Sequence, residues 1–210
     1  MIRAGEQLKV FERALTTTIR DAARVLDIGT SQRYAKELRP FENLFAEKQY
    51  VAAGYRPSTS FGPYNCDEHQ DIQALTYPDG SFDAVLCIEV LEHVADPFKA
   101  VAEIKRVLRP GGRLLLTVPF LGAFHGKSGL TPGHEDYPDY WRFTHQGLQL
   151  MFRDLAKVEV IPVDGPVEFR LRYLRLVNWV DRWPLRQLLD RFDKPRLGKS
   201  TTRHIVLGTK

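Results

Sequence analysis

Apolar residues occur along the chain in short runs separated by polar segments. Six of these runs predict strands: Val25–Gly29, Tyr50–Tyr55, Asp83–Glu89, Arg113–Pro119, Lys157–Val163 and Arg203–Thr209. The runs at 83–89 and 113–119 are almost continuously apolar, which is typical of strands that are covered on both faces. The pattern therefore predicts a parallel sheet.

Helical spacing appears between the two most apolar runs. Asp96 and Pro97 have the residue types of an N-cap and a first helical position, and the predicted helix ends at Arg109–Gly112. Its apolar face is formed by Val101, Ile104, Val107 and Leu108. A second helix is predicted after Thr144. Alternating strands and helices predict an α/β, doubly wound sheet in a single domain, with its ligand beyond the carboxyl ends of the strands.

Length and composition fit one globular domain. The chain has 210 residues, of which 43% are hydrophobic and 27% charged, and this length is ample for one core. Residues 1–23 mix charge with apolar positions and lack the apolar centre of a signal peptide. The apolar-rich stretch at 114–124 is too short to cross a bilayer. We therefore expect a cytoplasmic protein, in keeping with two cysteines that form no disulfide framework.

The segment from Asp71 to Phe120 carries an ordered set of motifs. It reads DIQALTYPDGSFDAVLCIEVLEHVADPFKAVAEIKRVLRPGGRLLLTVPF. It resembles the class I S-adenosylmethionine-dependent methyltransferases, especially a small bacterial branch with similar PDGSFD, LEHV and RVLRPGG signatures. The resemblance implies a Rossmann-like, seven-stranded sheet, mostly parallel, with an antiparallel last strand beside the sixth. It also implies S-adenosylmethionine as the cofactor and methyl transfer by in-line displacement.

The turn after the first strand is where this family binds the cofactor. Asp27 and Gly29 match the start of the family's glycine-rich turn, whereas Ser31 and Arg33 stand where further glycines are usual. The hydroxyls of Thr30 and Ser31 are candidates to replace some backbone contacts. Arg33 is a candidate partner for the cofactor's carboxylate. The alternative interpretation is that the Arg33 side chain points into solvent.

Further along the chain, the resemblance implies three more cofactor residues. Asp71 matches the family's acid near the adenine amino group, Ile72 lies against the ring, and Glu89 ends the fourth strand. The acid that normally binds the ribose is missing, because its expected position is Gly54. Asp67 and Glu68 are the next carboxylates along the chain and are candidates to bind the ribose instead. The simpler interpretation is that both are solvated acids of a loop.

The stretch at about 120–145 is predicted to form a lid on the acceptor side. It is rich in glycine, aromatic residues and histidine, as loops at binding clefts often are. His125 and His134 are candidate general bases, with Tyr140 and Arg142 as orienting groups. No metal site is predicted, because the possible ligands lack the compact spacing of a zinc motif. They are His125, His134, Glu135, Asp139 and His145.

The acceptor predicted for this enzyme is a small molecule or a sugar. The segment DYWRFTHQGL, residues 139–148, is similar to one in relatives from glycan gene neighbourhoods, which favours glycan biosynthesis. A basic helical insert is predicted at about 166–200. From Glu168 to Lys210 the chain has eleven Lys and Arg against four Asp and Glu. This insert is a candidate for peripheral membrane contact, although docking on the sheet, or on a second subunit in a homo-oligomer, is more common.

Two other classes of protein are alternatives. A non-catalytic binding or scaffold protein with the same fold is favoured by the altered turn and the missing ribose acid. A nicotinamide-dependent dehydrogenase ranks last, because the opening turn lacks GxGxxG and the second strand lacks its acid. Nucleic acid is not an expected partner, and the expected acceptor remains a small molecule or a sugar.

Overall fold

A computed structural model describes residues 6–30, 33, 37–55, 66–122, 124–126, 138–163, 192 and 201–210. Seven strands form one sheet: β1 (Arg24–Ile28), β2 (Gln49–Gly54), β3 (Glu68–His69), β4 (Phe82–Ile88), β5 (Leu108–Pro119), β6 (Lys157–Pro162) and β7 (Arg203–Thr209). Three α-helices are described: α1 (Glu6–Ile19), α2 (Pro97–Val107) and α3 (His145–Met151). Short 3₁₀ helices lie at Arg39–Phe45 and Leu91–His93.

The strands lie in the order β3-β2-β1-β4-β5-β7-β6. The pairings among β1 to β5 are all parallel. β7 pairs in antiparallel fashion with both β5 and β6. This confirms the predicted Rossmann-like sheet with an antiparallel last strand. The winding direction changes between β1 and β4, so the carboxyl ends of these two strands border the crevice where such folds bind ligands.

Both faces of the sheet are covered. On one face, α1 and the 3₁₀ helix at Arg39–Phe45 bury Phe11, Leu15 and Phe45 against alternate strand residues. On the other face, α2 and α3 bury a second set that includes Ile104 and Phe152. Coverage on both faces explains why the central strands are almost continuously apolar in sequence.

Helix caps agree with the sequence, while some boundaries differ. Asp96 caps α2 by accepting hydrogen bonds from the backbone N–H groups of Phe98 and Lys99, and Thr144 caps α3. Glu92 and His93 form a 3₁₀ turn ahead of α2, which starts at Pro97 as its cap predicts. Strand β5 already starts at Leu108, and a register shift opposite Phe82 accommodates the RPGG turn within it.

β3 is a strand that the apolar pattern did not predict. It is only two residues long and both of them are exposed, so it has neither the length nor the alternation that marks a strand. The lid predicted at 120–145 is described only in part. The basic insert predicted at 166–200 lies outside the described residues, apart from Phe192. Within the described ranges, no helix combines the length and apolarity that a membrane span requires.

His204 on β7 is a buried imidazole. Its side chain is fully enclosed and stacks on Phe120, with ring centroids 5.5 Å apart. Among the described residues, neither ring nitrogen has a hydrogen-bond partner. Burial, with a smaller contribution from the charge of His145, lowers the pKa of His204 to about 4. The folded protein therefore holds this ring neutral over a pH range in which the unfolded chain protonates it.

We expect His204 to weaken the fold as the pH falls from about 6.5 to about 4. The unfolded chain binds more protons in this window. For each unit by which the pH falls, the free energy of unfolding of wild type should therefore decrease by roughly 1.4 kcal/mol relative to that of His204→Phe. Urea unfolding of both proteins across this range measures the difference. His69→Gln, at an exposed histidine, is the control and should keep the wild-type slope. A difference in the free energy of unfolding between wild type and His204→Phe that stays constant with pH would contradict the prediction.

Candidate active site

Gly29 follows β1 at the edge of the crevice and has a left-handed backbone, with φ +88°. Its N–H donates to the Ala53 carbonyl at 2.7 Å. A Cβ at this position would lie 2.4 Å from Cγ2 of Val90, which enters from the turn after β4. Both the backbone conformation and the contact require glycine. The turns after β1 and β4 are thus packed directly against each other.

Glu89 follows β4 and is the one described residue other than glycine with a positive φ, at 54°. Its backbone N–H donates to the carbonyl and the hydroxyl of Thr117, which holds this conformation in place. Its Oε1 is buried and lies 3.7 Å from Nη1 of Arg203. Backbone strain of this kind is common at functional sites. Arg203 was not predicted here, although it begins a predicted strand whose antiparallel direction brings its start to this edge.

Asp27 lies beneath the turn as a buried carboxylate. The hydroxyl of Tyr50 donates to its Oδ2 at 2.5 Å. The Arg33 guanidinium lies 5.5 Å from the centre of the Tyr50 ring and donates from Nη1 to both carboxylate oxygens of Asp67, at 2.7 Å each. Arg33 therefore has an acidic partner within the protein. Asp67 also accepts a hydrogen bond from the Ala52 N–H at 2.9 Å, so this candidate ribose acid is engaged by protein groups.

Thr30 is buried, and its carbonyl accepts a 2.8 Å hydrogen bond from the Cys66 thiol. Ser31 and His134 lie outside the described residues.

Glu68, the other candidate ribose acid, accepts a hydrogen bond from Tyr77 at 2.8 Å. Within the described part of the chain, the structure thus shows protein partners for both carboxylates that follow β2.

Asp71 lies in the loop after β3. Its Oδ1 accepts hydrogen bonds from the backbone N–H of Gln73 at 2.9 Å and from the Gln73 side chain at 3.3 Å, which closes a tight turn. Ile72 is buried in the core. Arg106 of α2 fastens this loop by donating to the carbonyls of Leu75 and Tyr77. The loop is therefore held in one position relative to the sheet.

Three side chains from two distant segments of the chain meet beyond β4 and β5. Nε2 of His93 and Nε2 of His125 are 3.2 Å apart, and their rings are perpendicular. Oε1 of Glu92 lies 3.7 Å from Nε2 of His93 and 3.6 Å from Nε2 of His125. We call Glu92, His93 and His125 the acceptor-side cluster. Of these three residues, the sequence indicated only His125 as a candidate site residue. Nothing in the LEHV motif itself reveals that Glu92 and His93 lie beside His125 in the fold.

Arg142 and Asp139, from the segment predicted as a lid, lie beside this cluster. The guanidinium binds both carboxylate oxygens of Asp139, at 2.5 and 2.6 Å, and also donates to the Gly122 carbonyl. Asp139 in turn accepts a hydrogen bond from the His125 backbone N–H at 2.8 Å and lies 3.4 Å from its Nδ1. Arg142 thus acts through Asp139 to position His125. The Tyr140 ring is 58% exposed, and only its backbone contacts the cluster, donating to the Glu92 carbonyl.

Burial dominates the electrostatics of the cluster. It raises the pKa of Glu92 to about 7, an effect opposed by His125 and reinforced by the charge of Glu89. Burial also lowers the pKa of His93. By contrast, hydrogen bonds from Arg142 hold the pKa of Asp139 well below its usual range. Asp139 is therefore a fixed negative charge at neutral pH, while Glu92 is poised between its two protonation states.

Of the metal ligands considered in the sequence, only His125 belongs to the acceptor-side cluster. Asp139 lies 3.4 Å from Nδ1 of His125 but pairs with Arg142, and His145 begins α3. Glu135, like His134, lies outside the described ranges.

Comparisons with known proteins agree with this geometry. A model of the methyltransferase domain family matches residues 26–116. An uncharacterized methyltransferase, YcgJ of Bacillus subtilis (strain 168), is 30% identical over 158 residues, covering 68% of this chain and 62% of the relative. A ubiquinone biosynthesis O-methyltransferase of Xanthomonas oryzae pv. oryzae (strain PXO99A) is 55% identical over 38 residues, covering 18% and 16% respectively. The chain thus spans less than two thirds of the length of these curated relatives.

Solved structures share the whole fold. A crystal structure of a SAM-dependent methyltransferase from Archaeoglobus fulgidus matches with a TM-score of 0.58 at 16% identity, over 100% of this chain and 96% of that one. The family match supports S-adenosylmethionine as the cofactor and methyl transfer as the reaction. The family match, the relatives and the order of the strands together support assignment of the chain to the class I S-adenosylmethionine-dependent methyltransferase family.

Proposed function

We propose that this protein transfers the methyl group of S-adenosylmethionine to a hydroxyl oxygen of a small molecule or sugar. The observation that carries the proposal is the acceptor-side cluster, in which His125 and a buried carboxylate meet beside the crevice. In the proposed reaction an oxygen lone pair attacks the methyl carbon and the carbon–sulfur bond breaks. S-adenosylhomocysteine leaves with the bonding electrons, and the hydroxyl proton passes to His125.

The cofactor is proposed to lie over the ends of β1 and β4. Asp27, Gly29, Thr30 and Ser31 form its turn, and Arg33 binds its carboxylate by sharing or exchanging its contact with Asp67. Asp71 and Ile72 hold the adenine from the loop after β3, and Glu89 borders the reacting end. What supports this placement is the change of winding direction between β1 and β4.

The acceptor is proposed to enter from the lid side. A hydroxyl acceptor gains from a positioned proton acceptor, whereas a carboxylate needs little help, and His125 is held in place by Asp139 and Arg142. The name of one relative, an O-methyltransferase, supports oxygen as the acceptor atom. Use in glycan biosynthesis, a homo-oligomeric state, a cytoplasmic location and membrane contact through residues 166–200 stay predictions from the sequence. His134 and Tyr140 likewise stay predicted catalytic residues.

We expect Asp71→Asn to weaken S-adenosylmethionine binding about tenfold, because an amide cannot match a carboxylate as acceptor for the adenine amine. Isothermal titration calorimetry with S-adenosylmethionine and S-adenosylhomocysteine measures the change. Asn keeps the side-chain carbonyl that closes the turn onto Gln73, so its folding should match wild type, whereas Asp71→Ala should weaken both binding and the turn. Equal affinity for wild type and Asp71→Asn would remove this residue from the site.

Transfer itself is tested by mass spectrometry of nucleotide-sugar and metabolite mixtures incubated with the protein and the cofactor. The proposal predicts a product heavier by one methyl group, formed at least 100-fold more slowly by His125→Gln. Absence of any heat with millimolar cofactor would instead favour a non-catalytic binding or scaffold protein, for which the missing acid at Gly54 is the supporting observation.

A further inference from the structure

We propose that Glu92, His93 and His125 bind one divalent transition-metal ion of the Zn²⁺ type. Each residue offers one ligand atom, and all three atoms lie within 4.8 Å of one another. The separations are 3.2, 3.6 and 3.7 Å. Two ligand atoms bound to a tetrahedral ion at about 2.0–2.1 Å lie about 3.3 Å apart. The three atoms are therefore already close to the edges of one coordination tetrahedron.

The hydrogen bonds of the two imidazoles favour metal-binding tautomers. Nδ1 of His93 lies 2.5 Å from the Pro138 carbonyl, which can only accept a hydrogen bond, so the neutral ring carries its proton on Nδ1. Nδ1 of His125 faces Oδ2 of Asp139 at 3.4 Å, which favours the same tautomer. Both Nε2 atoms then direct lone pairs into the space between the rings. A bound cation turns this mutual repulsion into two favourable bonds.

Glu92 provides an independent observation. Its side chain is completely buried, and neither carboxylate oxygen has a hydrogen-bond partner among the described residues. A buried carboxylate without a partner is costly, and coordination to an ion removes that cost. His125 is 41% exposed, which gives an ion a path into the cluster from the solvent.

The surroundings resemble the outer shell of a metal site. Histidine ligands usually donate their second ring nitrogen to a carbonyl or a carboxylate, and Pro138 and Asp139 provide one of each. Three protein ligands leave a fourth position for water or substrate, as in catalytic sites. The sequence had led us to expect no metal, because the ligands then considered, from His125 to His145, lack the compact spacing of a zinc motif.

The consequence for catalysis rests on the proposed function. A hydroxyl bound at the fourth position has a lower pKa, as does water on a catalytic metal ion. With Glu92, His93 and His125 holding the ion, a hydroxyl bound at the fourth position would release its proton to solvent before its oxygen attacks the methyl carbon. Because Nε2 of His125 would then be a ligand, the ion would take over the activation of the acceptor that the proposed function gives to His125.

The test uses tag-free, full-length protein stripped with a chelator and titrated with Zn²⁺ by calorimetry and with Co²⁺ by visible absorption. We expect one ion per chain, and an affinity at least 100-fold lower in both Glu92→Gln and His125→Ala. His69→Ala, at an exposed histidine outside the cluster, should bind the ion as wild type does. Circular dichroism establishes that each variant is folded, and His125→Ala, at a partly exposed position, serves if Glu92→Gln is unfolded.

Wild-type affinity in the folded variants, or absence of binding to wild type, would overturn the metal site. The same stripped protein is titrated with S-adenosylmethionine to separate this result from the proposed function. If cofactor binding persists while the ion does not bind, only the metal site fails. If the ion binds and the cofactor does not, the site stands and the methyltransferase proposal fails.

Discussion

Gly29→Ala is expected to lower the free energy of unfolding by about 2–5 kcal/mol and to weaken S-adenosylmethionine binding at least tenfold. A left-handed backbone costs a residue with a Cβ about 1–2 kcal/mol, and forcing a methyl group into packed surroundings costs about 1–3 kcal/mol more. The new Cβ would be placed 2.4 Å from Val90, so the turns after β1 and β4 must separate. Urea unfolding and calorimetry measure the two effects.

A second substitution separates the two causes. In a Val90→Ala background the contact is largely removed, and Gly29→Ala should then cost only the roughly 1–2 kcal/mol of the backbone conformation. Gly122→Ala is the matched control, because its Cβ would meet Pro119 at an ordinary 3.5 Å. If Gly29→Ala matched Gly122→Ala in stability and in cofactor affinity, the close approach of the two turns would not matter.

Arg142→Ala is expected to destabilise the fold by about 3–5 kcal/mol at neutral pH, because it leaves the carboxylate of Asp139 buried without its cationic partner. The Asp139 side chain is completely enclosed and accepts both guanidinium hydrogen bonds. Arg142→Lys should fall between wild type and Arg142→Ala, since it keeps the charge and loses the bidentate contact. Chemical unfolding measures the series.

Two controls accompany this series. Arg153→Ala, at an exposed position, should change the stability by no more than about 0.5 kcal/mol. The double variant Asp139→Asn/Arg142→Ala should be more stable than Arg142→Ala alone, because a neutral amide needs no counter-charge. A double variant as unstable as the single one would mean that the loss comes from packing of the arginine stem.

Much of the fold was predictable from the sequence because its strands are buried on both faces. Asp83–Glu89 and Arg113–Pro119 show this as apolar runs. The first differs from β4 by one residue at each end, whereas β5 ends as predicted but starts five residues earlier. The caps at Asp96 and Thr144 were equally visible, since a cap is a local interaction. β3 was missed because two exposed residues carry no pattern.

The candidate site was less predictable because its contacts are long-range. His93 and His125 are brought together only when the turn after β4 and the segment after β5 reach the same edge of the sheet. The pairing of Arg33 with Asp67 joins residues 34 positions apart, and no spacing rule indicates it. Motifs therefore predict a cofactor turn, while the partners of its side chains are visible only in the fold.

The direction of β7 also determines where the chain can vary. β6 is parallel to β5 and ends at Pro162, and β7 begins at Arg203 beside Pro119. Both ends of the 163–202 connection therefore lie at the edge of the sheet where the parallel strands end. Because the entropy of closing a loop rises slowly with its length, this connection can be lengthened, shortened or replaced at small cost to the sheet. Related chains can therefore differ in this one connection without alteration of the central strands.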